Sequence, residues 1–311
     1  MNGKLAQFRA GAATIEKCGS LLSRAHRQIK MQSAHRTTTE GTGLKIAIIG
    51  AGKIGEAVAR CVASAAIAES VIVTKRNTST LKFSDRKVRV ISDNAEAASK
   101  SDVIIIAVKP GDASAVINRI ARHVEGKIVI SLMAAIKISR LQSVLPGSRI
   151  IRAMPNIAAT IGESMTAYAA GEGFSAAESM RAREVIATFG DYIEVKESLM
   201  DAITALSGSG PAYIAIIIDA MVSAGLKVGI PRDVAFKLVT KTLTGTANLL
   251  STHPVHPAEL RDAVTTPAGT TIAGIYELEK GSVRTSIMNA VDAATEASRK
   301  VAATFENAFE T

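Results

Sequence analysis

Residues 44–55 read Leu-Lys-Ile-Ala-Ile-Ile-Gly-Ala-Gly-Lys-Ile-Gly, an apolar run that meets three glycines spaced G-x-G-x-x-G at Gly50, Gly52 and Gly55. Small residues follow in helical fashion: Glu56, Ala57, Val58, Ala59, Arg60, Cys61, Val62 and Ala63. A strand, a glycine turn and a helix in this order form the cradle for a dinucleotide pyrophosphate. Gly50 permits the tight turn, Gly52 lets backbone approach phosphate, and Gly55 lets helix and strand pack closely. The helix start, with Lys53 and Ile54 between the glycines, offers free N–H groups and the positive end of the helix dipole.

The pattern after this loop alternates strand and helix. Strands are expected at 46–49, 70–74, 88–91, 102–108, 127–132, 149–154, 166–170 and 192–195, and helices at 95–100, 112–120, 136–145 and 176–189. Residues 102–108, Asp-Val-Ile-Ile-Ile-Ala-Val, form the uninterrupted apolar run of a strand buried on both faces. Such alternation predicts a parallel, doubly wound sheet. From Asp201 the strand signal stops. Helices are expected at 211–228, 231–251, 258–264, 270–280 and 283–308, with Pro211 and Pro231 at first helical positions. The expected class is therefore α/β: a Rossmann-type doubly wound parallel sheet over 44–200, then an all-α C-terminal domain over 201–311. Residues 211–230 are the most apolar stretch, but Asp219 and Lys227 interrupt them. A helix buried in a core or a subunit interface suits them better than a membrane span.

Composition narrows the partners. The chain has 311 residues, enough for two packed domains, and its 4% aromatic content without tryptophan gives no base-stacking platform. The net charge of +9 is concentrated in residues 1–43, where seven basic residues face two acidic ones. The basicity belongs mostly to that leader, not to a surface for polyanions, so neither nucleic acid nor membrane is an expected partner. The leader is rich in Ala, Arg, Ser and Thr. It reads either as an organellar transit peptide or as an extension upstream of Met31, so the expected location is the cytoplasm with an organelle as the alternative. Cys18 and Cys61 imply no disulfide framework and no cysteine metal site.

Four further segments can carry chemistry. Strand two ends in Thr74-Lys75-Arg76-Asn77, where an NAD-selective site usually places an acidic residue. Cations there favour the 2′-phosphate of NADPH, with NADH still open, though solvated loop charges are common. Ala107-Val108-Lys109-Pro110 ends the strongest strand, so Lys109 should face the cofactor crevice and Pro110 should stiffen the turn. Ser207-Gly208-Ser209-Gly210-Pro211 reads equally as a backbone-lined ligand contact or as a capping interdomain turn. Thr265-Thr266-Pro267-Ala268-Gly269-Thr270-Thr271 opens a new helix with unpaired N–H groups and several hydroxyls, a suitable carboxylate cradle. His253 and His256 lie among prolines and lack further ligands, so no metal site is expected. No hydrolase triad or glycosidase carboxylate pair is recognisable.

Together these segments resemble the 1-pyrroline-5-carboxylate reductase family, over about residue 44 to the final helix. Residues 260–274, Leu-Arg-Asp-Ala-Val-Thr-Thr-Pro-Ala-Gly-Thr-Thr-Ile-Ala-Gly, are similar to that family's signature. Ala268 stands where the usual Pro-Gly-Gly-Thr-Thr has its first glycine. Residues 206–213, 107–110 and 152–156 match closely, and Ser131-Leu132-Met133-Ala134-Ala135 resembles the family's Ser-x-x-Ala-Gly turn with Ala135 for glycine. The resemblance implies pyrophosphate binding at Gly50–Gly55 and cofactor contacts at Asn94, Ala107, Val108, Lys109, Pro110 and Ala134. Arg76 and Asn77 would flank the adenosine ribose or its phosphate. Thr266, Ala268, Gly269, Thr270 and Thr271 would hold the substrate carboxylate, with Thr271 near the ring nitrogen. It implies NADPH-dependent reduction of 1-pyrroline-5-carboxylate to L-proline, and homodimers through the C-terminal helices, often assembled into larger rings. Two other classes remain in view. A β-hydroxyacid dehydrogenase would need a catalytic lysine, for which Lys227, Lys237 and Lys241 are the candidates, none in a suitable motif. A non-catalytic NADP-binding regulator would bind cofactor without turnover.

Overall fold

A computed structural model describes residues 43–253 and 255–306. The leader up to residue 42, with Cys18 and Met31, and residues 307–308 of the expected last helix lie outside them.

The core is one eight-stranded sheet in the order β3-β2-β1-β4-β5-β6-β7-β8. Its strands are β1 (Leu44–Ile49), β2 (Ala68–Thr74), β3 (Val88–Ile91), β4 (Val103–Ile106), β5 (Ile128–Ser131), β6 (Arg149–Met154), β7 (Ser164–Ala170) and β8 (Gly190–Glu194). Successive strand side chains point to opposite faces. In β1, Ile46 and Ile48 enter one apolar cluster while Ala47 and Ile49 enter the other. Both faces are covered, which is why the strands read as continuous apolar runs. Helix α1 (Lys53–Ser64) packs Val58 and Val62 on the first face, joined by Val185 and Ile186 of α5 (Ala176–Ile186). Helices α2 (Asn94–Ser99), α3 (Ala113–Ile120) and α4 (Ile138–Val144) cover the other through Ala97, Ile117, Ile120 and Leu141.

Strands β1 to β6 are parallel, but β7 runs antiparallel to β6 and parallel to β8. The expected parallel, doubly wound sheet is present, and β6–β7 is its one antiparallel junction among the described residues. The β6–β7 connection, residues 155–163, contains only a 3₁₀ turn, Ile157–Ile161. A parallel return needs a crossover of about a dozen residues or more.

Beyond Glu194 the described chain is helical. It runs through α6 (Met200–Ile203), a π-helical turn (Thr204–Gly208), α7 (Gly210–Lys227), α8 (Arg232–Thr252), α9 (Pro257–Ala263), α10 (Thr270–Lys280) and α11 (Val283–Glu306). The Ser207-Gly208 segment is thus part of a helical run rather than a loop, and Pro231 caps α8 instead of opening it. Helices α7 and α8 share a small core of Val222, Ala235 and Val239.

Candidate active site

Strand order reverses between β1 and β4, which lie side by side with β2 on the far side of β1. Crevices at such switch points, beyond the carboxyl ends of strands, are where open α/β sheets bind ligands. The Gly50 loop follows β1 and Ala107–Pro110 follows β4, so both reach this crevice. Gly50 has φ +97, and a Cβ there would lie 2.5 Å from Val108 Cγ1 and 3.0 Å from the Ala107 carbonyl oxygen. A Cβ on Gly55 would strike the Gly50 carbonyl oxygen. Both positions therefore require glycine, one for backbone conformation and one for close packing. Gly52 differs: nothing lies within 4 Å of its added Cβ.

The loop is fixed from below by Thr74, a buried residue at the end of β2. Gly50 N donates to Thr74 Oγ1 at 3.1 Å, and Ala51 N donates to the Thr74 carbonyl at 3.0 Å. Sequence reasoning passed over Thr74. Its signal is a hydroxyl closing an apolar strand. Gly52 caps α1 with no side-chain hydrogen bond, so the N–H groups of the first turn, where Lys53 is exposed and Ile54 half-buried, have no partner within the helix. Open space above Gly52 and unpaired donors beside it fit a pyrophosphate.

The other residues expected at the cofactor follow the same edge in order. Asn94 opens α2 beyond β3, Arg76 and Asn77 follow β2, Ala107 to Pro110 follow β4, and Ala134 follows β5. Neighbouring strand ends are tied by Ala107 N donating to the Ile49 carbonyl and Leu132 N to the Ile106 carbonyl, each at 2.8 Å. Asn94 is half-buried, and the α2 N-terminus is already capped by Asp93 Oδ1, which accepts from Ala95 N at 2.8 Å. Arg76 is 92% exposed and only loosely paired, its guanidinium 3.7 Å from Asp112. A solvated pair of this kind holds the side chain weakly, leaving it able to meet a phosphate. Asn77 commits its Oδ1 to Ser79, at 3.2 Å from the backbone N–H and 2.7 Å from the hydroxyl. Lys109 is exposed and extended, and Pro110 opens the 3₁₀ turn Pro110–Asp112. The turn holding half-buried Ala134 includes buried Ala135 at φ +71.

The threonine-rich turn stands on the helical part. Ala268 has φ +58, and Gly269 caps α10 without a side-chain hydrogen bond. Its hydrogen bonds stay local: Thr265 Oγ1 to the Arg261 carbonyl at 2.7 Å, and Gly269 N to the Thr266 carbonyl at 3.0 Å. Gly269 N–H is therefore spent inside the turn, while Thr270 and Thr271 lie in the uncapped first turn of α10. Asn156 is a second residue that sequence reasoning gave no role. It caps the Ile157–Ile161 turn through Oδ1, and its Nδ2 donates to the Ser207 carbonyl at 3.3 Å. With Ser207, Pro211 and Ile214 it lines a cleft of about 410 Å³. On α1, burial pushes the Cys61 thiol up, and its Sγ donates to the Ala159 carbonyl at 3.1 Å.

Residues 197–301 match the family described as pyrroline-5-carboxylate reductase dimerisation, and residues 45–135 match NADP oxidoreductase, coenzyme F420-dependent. A pyrroline-5-carboxylate reductase of Synechocystis sp. is 40% identical over 262 residues, spanning 83% of this chain and 98% of the relative. The chain belongs to the pyrroline-5-carboxylate reductase family. An Arabidopsis thaliana pyrroline-5-carboxylate reductase is 38% identical over 262 residues, covering 83% and 95% of the two chains. The crystal structure of Plasmodium falciparum pyrroline carboxylate reductase with NADP bound superposes with a TM-score of 0.77 at 30% identity, over 84% of this chain and 100% of that one. The Rossmann-type sheet and the helical part are thus those of pyrroline-5-carboxylate reductases.

Proposed function

We propose that this chain reduces 1-pyrroline-5-carboxylate to L-proline, with NADPH as the hydride donor. One observation carries the reading. Two long helices, α1 and α10, begin at glycines, Gly52 and Gly269, with no side-chain cap, so one chain holds two sets of unpaired backbone donors suited to anions. The first suits the cofactor pyrophosphate and the second the substrate carboxylate.

In this reading Gly50, Gly52, Lys53, Ile54 and Gly55 hold the pyrophosphate, and Arg76 with Asn77 receives the 2′-phosphate. Asn94, Ala107, Val108, Lys109, Pro110 and Ala134 line the rest of the cofactor. Bound NADPH supplies the hydride taken up by the imine carbon. Thr270 and Thr271 N–H groups hold the carboxylate, with Thr266, Ala268 and Gly269 shaping the turn. The Thr271 hydroxyl orients the ring nitrogen and its proton, which the cyclic imine carries near neutral pH, so no strong protein acid is required. Positioning of the two reactants does most of the work. Residues 44–200 serve as the dinucleotide domain. Residues 201–311 bind substrate and form a homodimer, alone or within a larger ring. We expect a cytoplasmic enzyme, or an organellar one if residues 1–43 act as a transit peptide.

The deciding experiment follows absorbance of NADPH with pyrroline-5-carboxylate, repeated with NADH and with a 3-hydroxyacid plus NADP⁺. Proline formation with NADPH is expected. NADPH binding without turnover would turn the reading into a regulator, and hydroxyacid oxidation would turn it into a dehydrogenase. Arg76→Ala should raise KM for NADPH by about tenfold or more while leaving that for NADH nearly unchanged, as expected for one lost charge-assisted contact. Equal effects on both would remove the phosphate contact.

A further inference from the structure

Arg152 is the only fully charged side chain in the buried class among the described residues, 3% exposed in the middle of β6. Its register partners are Ser131 on β5 and Ala169 on β7. Guanidinium keeps its charge when buried, so the surroundings must supply counter-charge. Here two carboxylates do: Nη1 lies 3.4 Å from Glu197 Oε1, and Nη2 lies 3.6 Å from Asp201 Oδ1. Nε and Nη2 make no hydrogen bond. The cation is thus held by charge between two acids rather than by a saturated set of hydrogen bonds.

Each acid has a second partner. Glu197 Oε1 accepts the backbone N–H of Ile138 at 2.7 Å, and Asp201 Oδ1 accepts the hydroxyl of Ser298 at 2.9 Å. Ile138 is the first residue of α4, three residues beyond the left-handed Ala135 in the turn that holds Ala134. Ser298 lies on α11. One buried cation therefore joins β6, the Glu197–Leu199 turn and α6, and reaches through its two acids to α4 and α11.

We propose that Arg152 is a positioning residue. Through Glu197 it holds Ile138 N–H, and so sets the 133–137 turn, whose Ala134 lines the proposed cofactor crevice. Through Asp201 it fixes the last helix to the same point. The kinetic part of this inference rests on the reductase reading; the structural part does not. Buried ion clusters are poor sources of stability compared with apolar packing, so a geometric role is the better reason for an arginine here.

The test uses the full chain with Arg152→Met, Arg152→Lys and Glu197→Gln. Hydrogen exchange is measured without ligand, together with the Kd for NADPH and kcat. In Arg152→Met, amides of 133–141 should exchange about tenfold faster or more, while those of 47–58 stay unchanged. The Kd for NADPH should stay within about threefold, and kcat should fall about 10- to 100-fold, as expected for a displaced reactant. Arg152→Lys should recover most of the kcat. If Arg152→Met does not fold, Glu197→Gln decides, because Gln still accepts the Ile138 N–H while losing the charge facing Arg152; the same changes are expected, smaller in size. Uniformly faster exchange, or unchanged exchange at 133–141, would overturn the proposal. So would a Kd that rises in step with the fall in kcat. A wild-type chain inactive on pyrroline-5-carboxylate would sink the reductase reading, and the exchange data would still judge Arg152.

Discussion

Ala135 and Ala268 adopt φ +71 and +58, a region that an alanine enters at a cost of about 1–2 kcal/mol. They are also the two places where the chain carries alanine against the glycine of the resembling motifs. Glycine removes the strain but loses about 0.5–1 kcal/mol through its freer unfolded chain. Ala268→Gly should therefore stabilise by about 0.5–1 kcal/mol, since Ala268 is exposed and its methyl packs against little. Ala135→Gly should gain less, because the residue is 2% exposed and the burial of its methyl is forfeited, at about 0.8 kcal/mol per carbon. Urea denaturation of the two variants ranks them, and a larger gain at Ala135 would contradict this account. At Thr271 the change is chemical. Thr271→Ala should lower turnover about 10- to 1000-fold, the loss of one positioned polar group, with NADPH affinity unchanged. Full turnover would remove the role of its hydroxyl.

Among elements, α5 shows how a local signal becomes measurable. Ser175 Oγ accepts Glu178 N–H at 3.2 Å, and Glu178 Oε2 accepts Ser175 N–H at 2.8 Å, a complete capping box. Ser175→Ala should cost about 1 kcal/mol. The hydrogen bonds with Ser175, side chain first, and then Arg149, hold the Glu178 carboxyl below its usual range. A carboxyl lowered on folding adds stability above its unfolded range, and this is lost as pH falls through its folded value. Thermal scans from pH 6 downward should therefore show a shallower acid decline in Glu178→Gln than in the wild type, and parallel curves would refute the linkage. This helix was legible as 176–189, because its apolar spacing is local; only its last turn, Ala187–Phe189, tightened to 3₁₀. Strands β3 and β6 were legible to the residue, since β-branched and apolar residues dominate both despite Arg89, Arg149 and Arg152, and polar or turn residues close them. The direction of β7 was not, because alternation along a strand carries no sign of which way its neighbour runs. The π turn at Thr204–Gly208 was hidden for a similar reason: one extra residue per turn leaves the apolar pattern of the flanking helices intact. At the site, the Gly50 loop was legible because backbone chemistry is written in consecutive residues. The Arg152, Glu197 and Asp201 cluster was not, because only folding brings residues about 45 positions apart together.

For the molecule as a whole, the open question is what covers the C-terminal helices. Of the 18 residues of α7, only Val222 is buried, while Ile216 is 70% exposed, and Tyr276 of α10 and Met288 of α11 are likewise mostly uncovered. By length and composition alone, residues 197–227 are apolar enough to cross a membrane. The same residues open the 197–301 stretch that matches the reductase dimerisation family, and in the proposed reading the apolar surface meets the same surface on a second copy. Interfaces formed this way resemble a core cut in half, and a charge placed there is strongly disfavoured. The wild-type chain should therefore scatter light as at least twice its 32.5 kDa mass without detergent, and Ile216→Asp should shift it toward a single chain. The Gly50 loop proposed to hold the pyrophosphate lies within one chain, so the monomeric variant should still bind NADPH while turning over poorly if the helical part must be ordered by its partner. A wild type that runs as one chain, or that requires detergent to stay in solution, would remove the dimer from this picture and return α7 to the membrane alternative.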